Sequence, residues 1–446
     1  MRRLIIVLAA TPVLLVRVLQ AQPQATVELS LKRAVDIALT PEGSAKVALA
    51  QQSIRQAETR VQQARGAFLP SVDGSVQDRD QTTNLKAFGF NFALPLPGFA
   101  LPSIVGPYSV LDARASVQQN VLDFTTLSQY KASKSGVASA KADLSVVNDQ
   151  VSEQVARGYL ASLRADAALE TTRADVELAD ALLKLSQQQK DAGTGTGIEV
   201  TRAQVQLANN RQQMIVAENG QRRALQQLLR VMGVRLDEPV RLTGKLEFQP
   251  ADSPAINAAL TQARNMRTDL KAQKQKEETA RLNFSKVRAE RLPSLAAFGD
   301  YGTIGSEIVG AHPTHTVGIT LKVPLYDGGR RDARRQESDS EYRQEQIRTH
   351  DLELQIELDV RLALDSLESA RSQVMVAQEG VGLSENELEQ ARRRYQAGVT
   401  NSVEVTDAQT RLDRARDNQI AALYNYNLAR IDLATATGTI GEYVNQ

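Results

Sequence analysis

The chain has 446 residues, 4% aromatics, neither cysteine nor tryptophan, and a formal net charge of +1. Without cysteine there is no disulfide, no thiolate metal site and no lipid carried on an N-terminal cysteine, and a net charge near zero supplies no global field toward nucleic acid or acidic lipid. Ala, Gln, Leu, Arg and Glu dominate, a composition of long helices and coiled coil.

Residues 1–21 read as an export signal. Arg2 and Arg3 precede an apolar core over residues 4–16, and Leu19-Gln20-Ala21 offers a cleavage site before Gln22. Arg17 sits awkwardly close to that core. The alternative is an uncleaved anchor, but the apolar run is shorter than the ~20 residues a spanning helix needs. No later stretch is apolar enough to cross a bilayer as a helix, so any further membrane crossing falls to strands.

The first half of the mature chain covers residues 22–235. Residues 30–67 follow a helical pattern broken at Pro41-Glu42-Gly43, and Leu69-Pro70-Ser71 stops the second helix. Strand-like text then fills residues 71–79 and 108–121, a hairpin spanning about 71–121. Between them lies an apolar loop over residues 88–99, studded with Pro and Gly, which fits neither helix nor central strand. It is a candidate plug or rim for an outer mouth. After Asp123 a helix is expected over residues 126–190, roughly 100 Å long at 1.5 Å per residue. It turns at a glycine-rich tip, residues 191–198, into another helix.

Residues 236–254 hold Pro239, Gly244, Pro250 and Pro254 and read as a linker with a little local structure. The second half, residues 255–446, repeats the first. A charged helix over residues 255–291 ends at Leu292-Pro293-Ser294, and a hairpin of about 294–325 follows. There Val317, Ile319, Leu321 and Val323 alternate with Thr316, Gly318, Thr320 and Lys322, giving one apolar face. His312-Pro313-Thr314-His315 falls in the expected connection. Residues 330–396 form the second long helix, with a tip at 397–402.

The two tips carry the same text at an offset of about 205 residues, Glu199-Val200-Thr201 with Ala203-Gln204 and Glu404-Val405-Thr406 with Ala408-Gln409. A period that long is one half-molecule duplicated. Along the second hairpin, Ile356, Val360, Ala363, Leu367, Ala370, Val374, Ala377 and Val381 step by four and three, as do Val405, Ala408, Leu412 and Ala415. A sustained 3.5-residue repeat imposes left-handed supercoiling with knobs-into-holes packing. The first hairpin keeps the frame with more polar interruptions, at Val151, Val155, Ala165, Leu169, Val176, Ala179 and Leu183.

Four strands cannot close a barrel, and an open sheet edge in hydrocarbon costs several kcal/mol per unpaired backbone group. Small membrane barrels need at least eight strands, so strands placed in a membrane must be pooled by several chains. The secretion signal and alternating strands suggest a Gram-negative outer membrane.

The arrangement resembles the TolC-type outer-membrane efflux and secretion channels over essentially the whole mature chain. The marks are the duplicated helix–strand–strand–helix–helix half and Leu-Pro-Ser before each strand pair. To these add Pro324-Leu325-Tyr326-Asp327-Gly328-Gly329 and Tyr395-Gln396-Ala397-Gly398 leading into the second tip. The resemblance implies a mainly α protein with a small β part. As a homotrimer it would form a 12-stranded outer-membrane β-barrel continuous with a long periplasmic coiled-coil α-barrel. It also implies docking to a periplasmic adaptor (membrane fusion) protein and an inner-membrane transporter of RND or ABC type. Glu404 and Asp407 match acidic residues that ring the closed periplasmic entrance. Tyr395 matches a latch tyrosine, and Glu199 falls where its acidic partner lies. Thr400 stands where the family often has an Arg, and the first tip is unusually rich in glycine. The tips, with Gly193, Gly195, Gly197, Gly398 and Val399, are the expected adaptor contacts.

Enzyme chemistry finds no foothold. Gly193 to Gly197 follows a helix and lacks the Gly-Lys-Ser/Thr of a phosphate loop. His312 and His315 have no third metal ligand, and His350 stands alone. Ser128 and Lys131 open a coiled-coil helix without the rest of a serine–lysine site. Arg330, Arg331, Arg334 and Arg335 form a basic cluster below the second strand pair, either a solvated helix start or a contact for lipid phosphates. No catalytic residue, cofactor, metal or nucleic-acid partner is expected. The expected function is a passive exit duct, with a periplasmic coiled-coil adaptor or a structural scaffold as alternatives.

Overall fold

The computed structural model describes residues 27–89, 102–250 and 254–445. The first half runs β1 (Val27–Leu29), α1 (Leu31–Ala38), α2 (Ala45–Gly66), β2 (Ser71–Asn84), β3 (Ile104–Leu122), α3 (Phe124–Asp191) and α4 (Gly197–Met232). A short β4 (Val240–Leu242) leads to α5 (Ile256–Met266), α6 (Thr268–Ala289), β5 (Ser294–Gly305), β6 (His312–Lys322), α7 (Arg330–Gln396), α8 (Ser402–Thr437) and α9 (Ile440–Val444). The expected signal and most of the 88–99 loop lie outside the described residues. Among the described residues no helix is long and apolar enough to cross a membrane.

The four long strands form one antiparallel sheet in the order β2-β3-β5-β6. Its register lines up Val72, Val117, Gly299 and Val317 across one face, and Asp73, Ser116, Asp300 and Thr316 across the other. On the apolar face nothing among the described residues covers the side chains: Val76 is 77% exposed and Val317 81%. On the polar face Arg114 donates to Asp112 at 2.7 Å and to Asp300 at 2.9 Å, bridging β3 and β5. Strand β2 runs on past the expected 79 to Asn84 through residues polar on both sides, and β3 begins earlier, at Ile104, through Gly106 and Pro107, which carry no alternation. His312 and His315, expected in a loop, instead begin β6. Three residues apart on a strand, they point to opposite faces, so they cannot share a metal. Pro313 is tolerated there because β6 is an edge strand.

An aspartate starts each long helix. The Asp123 carboxylate accepts from the Thr125 amide at 2.8 Å and the Thr126 hydroxyl at 2.7 Å, satisfying donors that the first turn leaves orphaned. Asp327 accepts from the Arg331 amide at 3.1 Å, reached through Gly328 and Gly329 at φ 74° and 82°. From there α3 pairs with α4 and α7 with α8, while α3 also packs on α8. The four lower helices therefore lie side by side as α4, α3, α8, α7. The heptad positions are the buried ones: Ile356, Val360, Ala363, Leu367, Ala370 and Val374 face Ala422, Tyr426, Ala429 and Ala436. Each fully buried aliphatic side chain contributes about 1.5–3 kcal/mol, and the alanines between them let the helices approach closely.

The joining segment is more ordered than a linker. β4 pairs in parallel with β1, and the Tyr159 hydroxyl of α3 pins both, donating to the Leu29 carbonyl at 3.1 Å and accepting from the Gly244 amide at 3.0 Å. Farther on, the Phe248 ring packs 4.8 Å from that of Tyr426. The charged helix expected over residues 255–291 is two helices, broken at Arg267. Its backbone is extended there, and its guanidinium bridges Asp269 at 2.7 Å and Asp359 of α7 at 2.8 Å.

Candidate functional site

The two helical tips are built alike. After α3, Gly193 adopts φ +77°, and the Gly193, Thr194 and Gly195 amides return to the carbonyls of Lys190 and Gln189 at 2.9–3.0 Å. After α7, Gly398 adopts φ +70°, and the Gly398 and Val399 amides return to Tyr395 and Arg394 at 3.0 Å. Both close a helix by satisfying its last carbonyls through a left-handed glycine.

The twin glutamates fall three residues into the next helix, where a carboxylate can reach back to the cap. Glu199 accepts from the Thr196 amide at 2.9 Å and its hydroxyl at 3.1 Å. Glu404 accepts from the Thr400 hydroxyl and lies 3.5 Å from the Arg394 guanidinium. It is half-buried, while Asp407, one turn on, is exposed. Both lie on one helix face, so the structure brings the expected gate pair together.

The expected latch pair does not meet within one chain, since Glu199 is committed to its own cap. Tyr395 is 4% exposed and packs among Leu388, Ala391, Val405 and Leu412, with Leu178, Leu182 and Leu185 of α3 beside it. Its hydroxyl is 3.3 Å from the Ser186 Oγ, and the Gln189 amide donates to its carbonyl at 3.4 Å. Tyr395 thus joins hairpin two to hairpin one, with Ser186 as partner. Sequence reading passed over Ser186. The signal was a second stripe on α3, Asp175, Ala179, Leu182 and Ser186, stepping by four, three and four toward α8.

Beside Tyr395 a cavity of about 20 Å³ is lined by Ser186, Gln206, Ser402 and Gln409 among others. Gln409 is fully buried, yet neither end of its amide has a partner, nor does the Ser402 hydroxyl. Higher on the same interface, the carboxyl groups of Asp175 on α3 and Asp413 on α8 meet in one groove. Burial first, then the neighbouring Asp175 charge, pushes Asp413 up to about 7. Among the described residues no three acidic or histidine side chains are grouped to hold a metal ion.

The family model of the outer membrane efflux proteins matches residues 38–234 and 259–439, one stretch for each half. The chain belongs to this family. Among its relatives, the outer membrane protein TolC of Vibrio cholerae is 26% identical over 65% of this chain and 68% of its own length. The alkaline protease secretion protein AprF of Pseudomonas aeruginosa is 24% identical over 73% and 69%. Among solved structures, the outer membrane protein VceC of Vibrio cholerae superposes with a TM-score of 0.73 at 16% identity, covering 92% of this chain and 96% of its own. The CmeC channel of Campylobacter jejuni does so with a TM-score of 0.76 at 17% identity, covering 93% and 88%. This efflux-family chain therefore has the TolC-like fold, helical barrel wall continuous with barrel strands, and is an outer-membrane efflux or secretion channel protein of a Gram-negative cell that reaches into the periplasm. Its relatives are named as outer membrane, export and secretion proteins.

Proposed function

We propose that three copies form a passive exit duct, gated at its periplasmic tips and driven by partners in the inner membrane. The carrying observation is the sheet: one apolar uncovered face, one polar face, and two open edges, β2 and β6. An open edge cannot stand in hydrocarbon, and three sheets of four strands make twelve, enough for a closed barrel with a polar bore. On the lower wall α7 is likewise an outer helix with bare apolar side chains, Leu354, Leu358, Leu362, Val376 and Leu383, which a neighbouring copy would cover.

Glu404 and Asp407 would recur three times around the closing tips and favour cations in a narrow bore. Tyr395, with Ser186, holds the second hairpin to the first at that level. The tips, with Gly193, Gly195, Gly197, Gly398 and Val399, are offered to a periplasmic adaptor, which couples the duct to an RND or ABC transporter. Relatives named for protease secretion and for pyoverdine export support a duct whose cargo is chosen by its pump.

Imaging of the detergent-purified protein tests assembly, with a threefold hollow rod ringed by detergent at one end as the expected result. A monomeric, detergent-independent rod overturns the proposal. Planar-bilayer recordings test the gate: Glu404→Gln with Asp407→Asn should lower cation preference, and unchanged selectivity removes these residues from it.

A further inference from the structure

The two hairpins meet along α3 and α8, and between the apolar clusters at Ile431 and at Tyr395 the contact is polar. Asp175 lies there about four turns above the first tip, buried against α8. Its carboxyl group meets that of Asp413 in one groove, and the Asp413 Oδ1 is buried without a hydrogen-bond partner. Two carboxylates cannot accept from each other, so such a contact requires a proton between them.

The charges around the pair do not remove that need. On α8, Arg416 reaches Asp175 at 3.4 Å but is shared with Glu385 of α7 at 3.4 Å. Arg414 lines the same groove of about 750 Å³, and Asp417 adds a third carboxyl group beside them. From α3, Arg164 acts on Asp417. From α4 the groove receives Gln206, Asn209, Asn210, Gln212 and Gln213, all uncharged, and the Asn210 amide bonds the Asp175 carbonyl rather than its carboxyl group. One turn below, the unpartnered Gln409 amide leaves this stretch of the seam under-satisfied, between the apolar clusters that close it above and below.

We propose that Asp175 and Asp413 are a one-proton tie between the hairpins, and that loss of the proton at alkaline pH releases hairpin two from hairpin one and eases opening of the tips. The tie rests on the gated-duct reading for its consequence, not for its existence. Protonated, the pair is one hydrogen bond from a carboxyl group to a carboxylate, carrying a single negative charge beside Arg416. After the proton passes to water, two like charges face each other in a half-buried seam. Their repulsion is relieved when the helices part.

The test is single-channel recording of the full-length protein between pH 6 and 8.5, where ordinary carboxyl groups are already ionised. Wild type should pass to higher conductance or open probability across a midpoint near the Asp413 value of about 7. Asp413→Asn, whose amide donates to Asp175 at every pH, should lose that transition and stay at the acid-side level. The three histidines are the same in both proteins and cancel. An identical pH profile in the two overturns the tie. Should Asp413→Asn fail to yield protein, Asp175→Asn makes the same bond in the other direction and is read in the same way. If neither protein conducts at any pH, the duct reading has failed. The tie is then decided by thermal unfolding, where wild type should lose stability between pH 6 and 8.5 and the variant should lose less. Equal losses sink it.

Discussion

Gly233, just past the end of α4, lies against Gly43 in the break between α1 and α2 so closely that a Cβ on Gly233 would stand 1.8 Å from the Gly43 carbonyl oxygen. Gly438, just past α8, makes the same contact in the second half, where its Cβ would stand 2.6 Å from the Arg267 amide nitrogen. Both glycines have positive φ, 70° and 76°. In each half the returning helix is closed against the break between the two short helices.

Gly233→Ala should therefore cost about 2–3 kcal/mol, from the left-handed backbone and the displaced loop together. Gly220→Ala is the control. It sits inside α4 with nothing within 4 Å of its added Cβ, and should be neutral or stabilise by about 0.5–1 kcal/mol. Melting temperatures of the purified variants separate the two.

Arg267→Met should destabilise by roughly 2–3 kcal/mol, since it strands the carboxylates of Asp269 and Asp359 in a partly buried site. Asp359→Asn should cost less, because one ion pair remains. A double-mutant cycle read by thermal unfolding gives the coupling between Arg267 and Asp359. Additive losses would show that the two do not act together.

On the sheet, Ile319→Arg should cost about 2–4 kcal/mol if that face meets lipid at mid-depth, and the yield of assembled protein in the outer membrane should fall accordingly. Thr320→Arg, on the polar face, should assemble normally. Equal yields of the two would place lipid elsewhere.

Stability should fall as pH rises from about 5 to 8. Burial raises Asp149, Asp175, Asp413, Asp417 and Asp432 above the ordinary carboxyl range, so the folded chain holds more protons than the unfolded one in that window. Their contribution is complete below the unfolded value near 4 and is lost through the folded values, reaching about 7 for Asp413. Carboxylates lowered by hydrogen bonds, such as Asp123, act only at more acid pH. Melting temperatures at pH 5.5 and pH 8 check the sign.

The sequence showed the duplicated halves, the long helices and their seam plainly, because Ile356, Val360 and Ala363 obey one period without a slip. It showed β5 and β6 through Val317, Ile319 and Leu321. The break at Arg267 escaped notice because no proline or glycine marks it; an arginine held by two aspartates from different helices does the work that Pro41 and Gly43 do upstream. β1 and β4 are three residues each, too short for any periodicity. At the tips, Glu199 matched a family position, but its local place three residues after Thr196 decides its bond. Asp175 and Asp413 were hidden because they flank the apolar seam and face across to the other hairpin.

The open edges of the sheet set a time limit on the single chain. A solitary copy in the periplasm presents, on the same few strands, a greasy face and two rows of unpaired backbone groups, each able to zip onto the wrong neighbour. In the proposed three-copy barrel a lone copy could not wait in the membrane for its partners, because its edges stay unpaired until they are joined. Insertion and assembly would then be one event. How much channel a cell obtains depends on how briefly each copy is left alone, and overproduction should yield aggregate before it yields more pores.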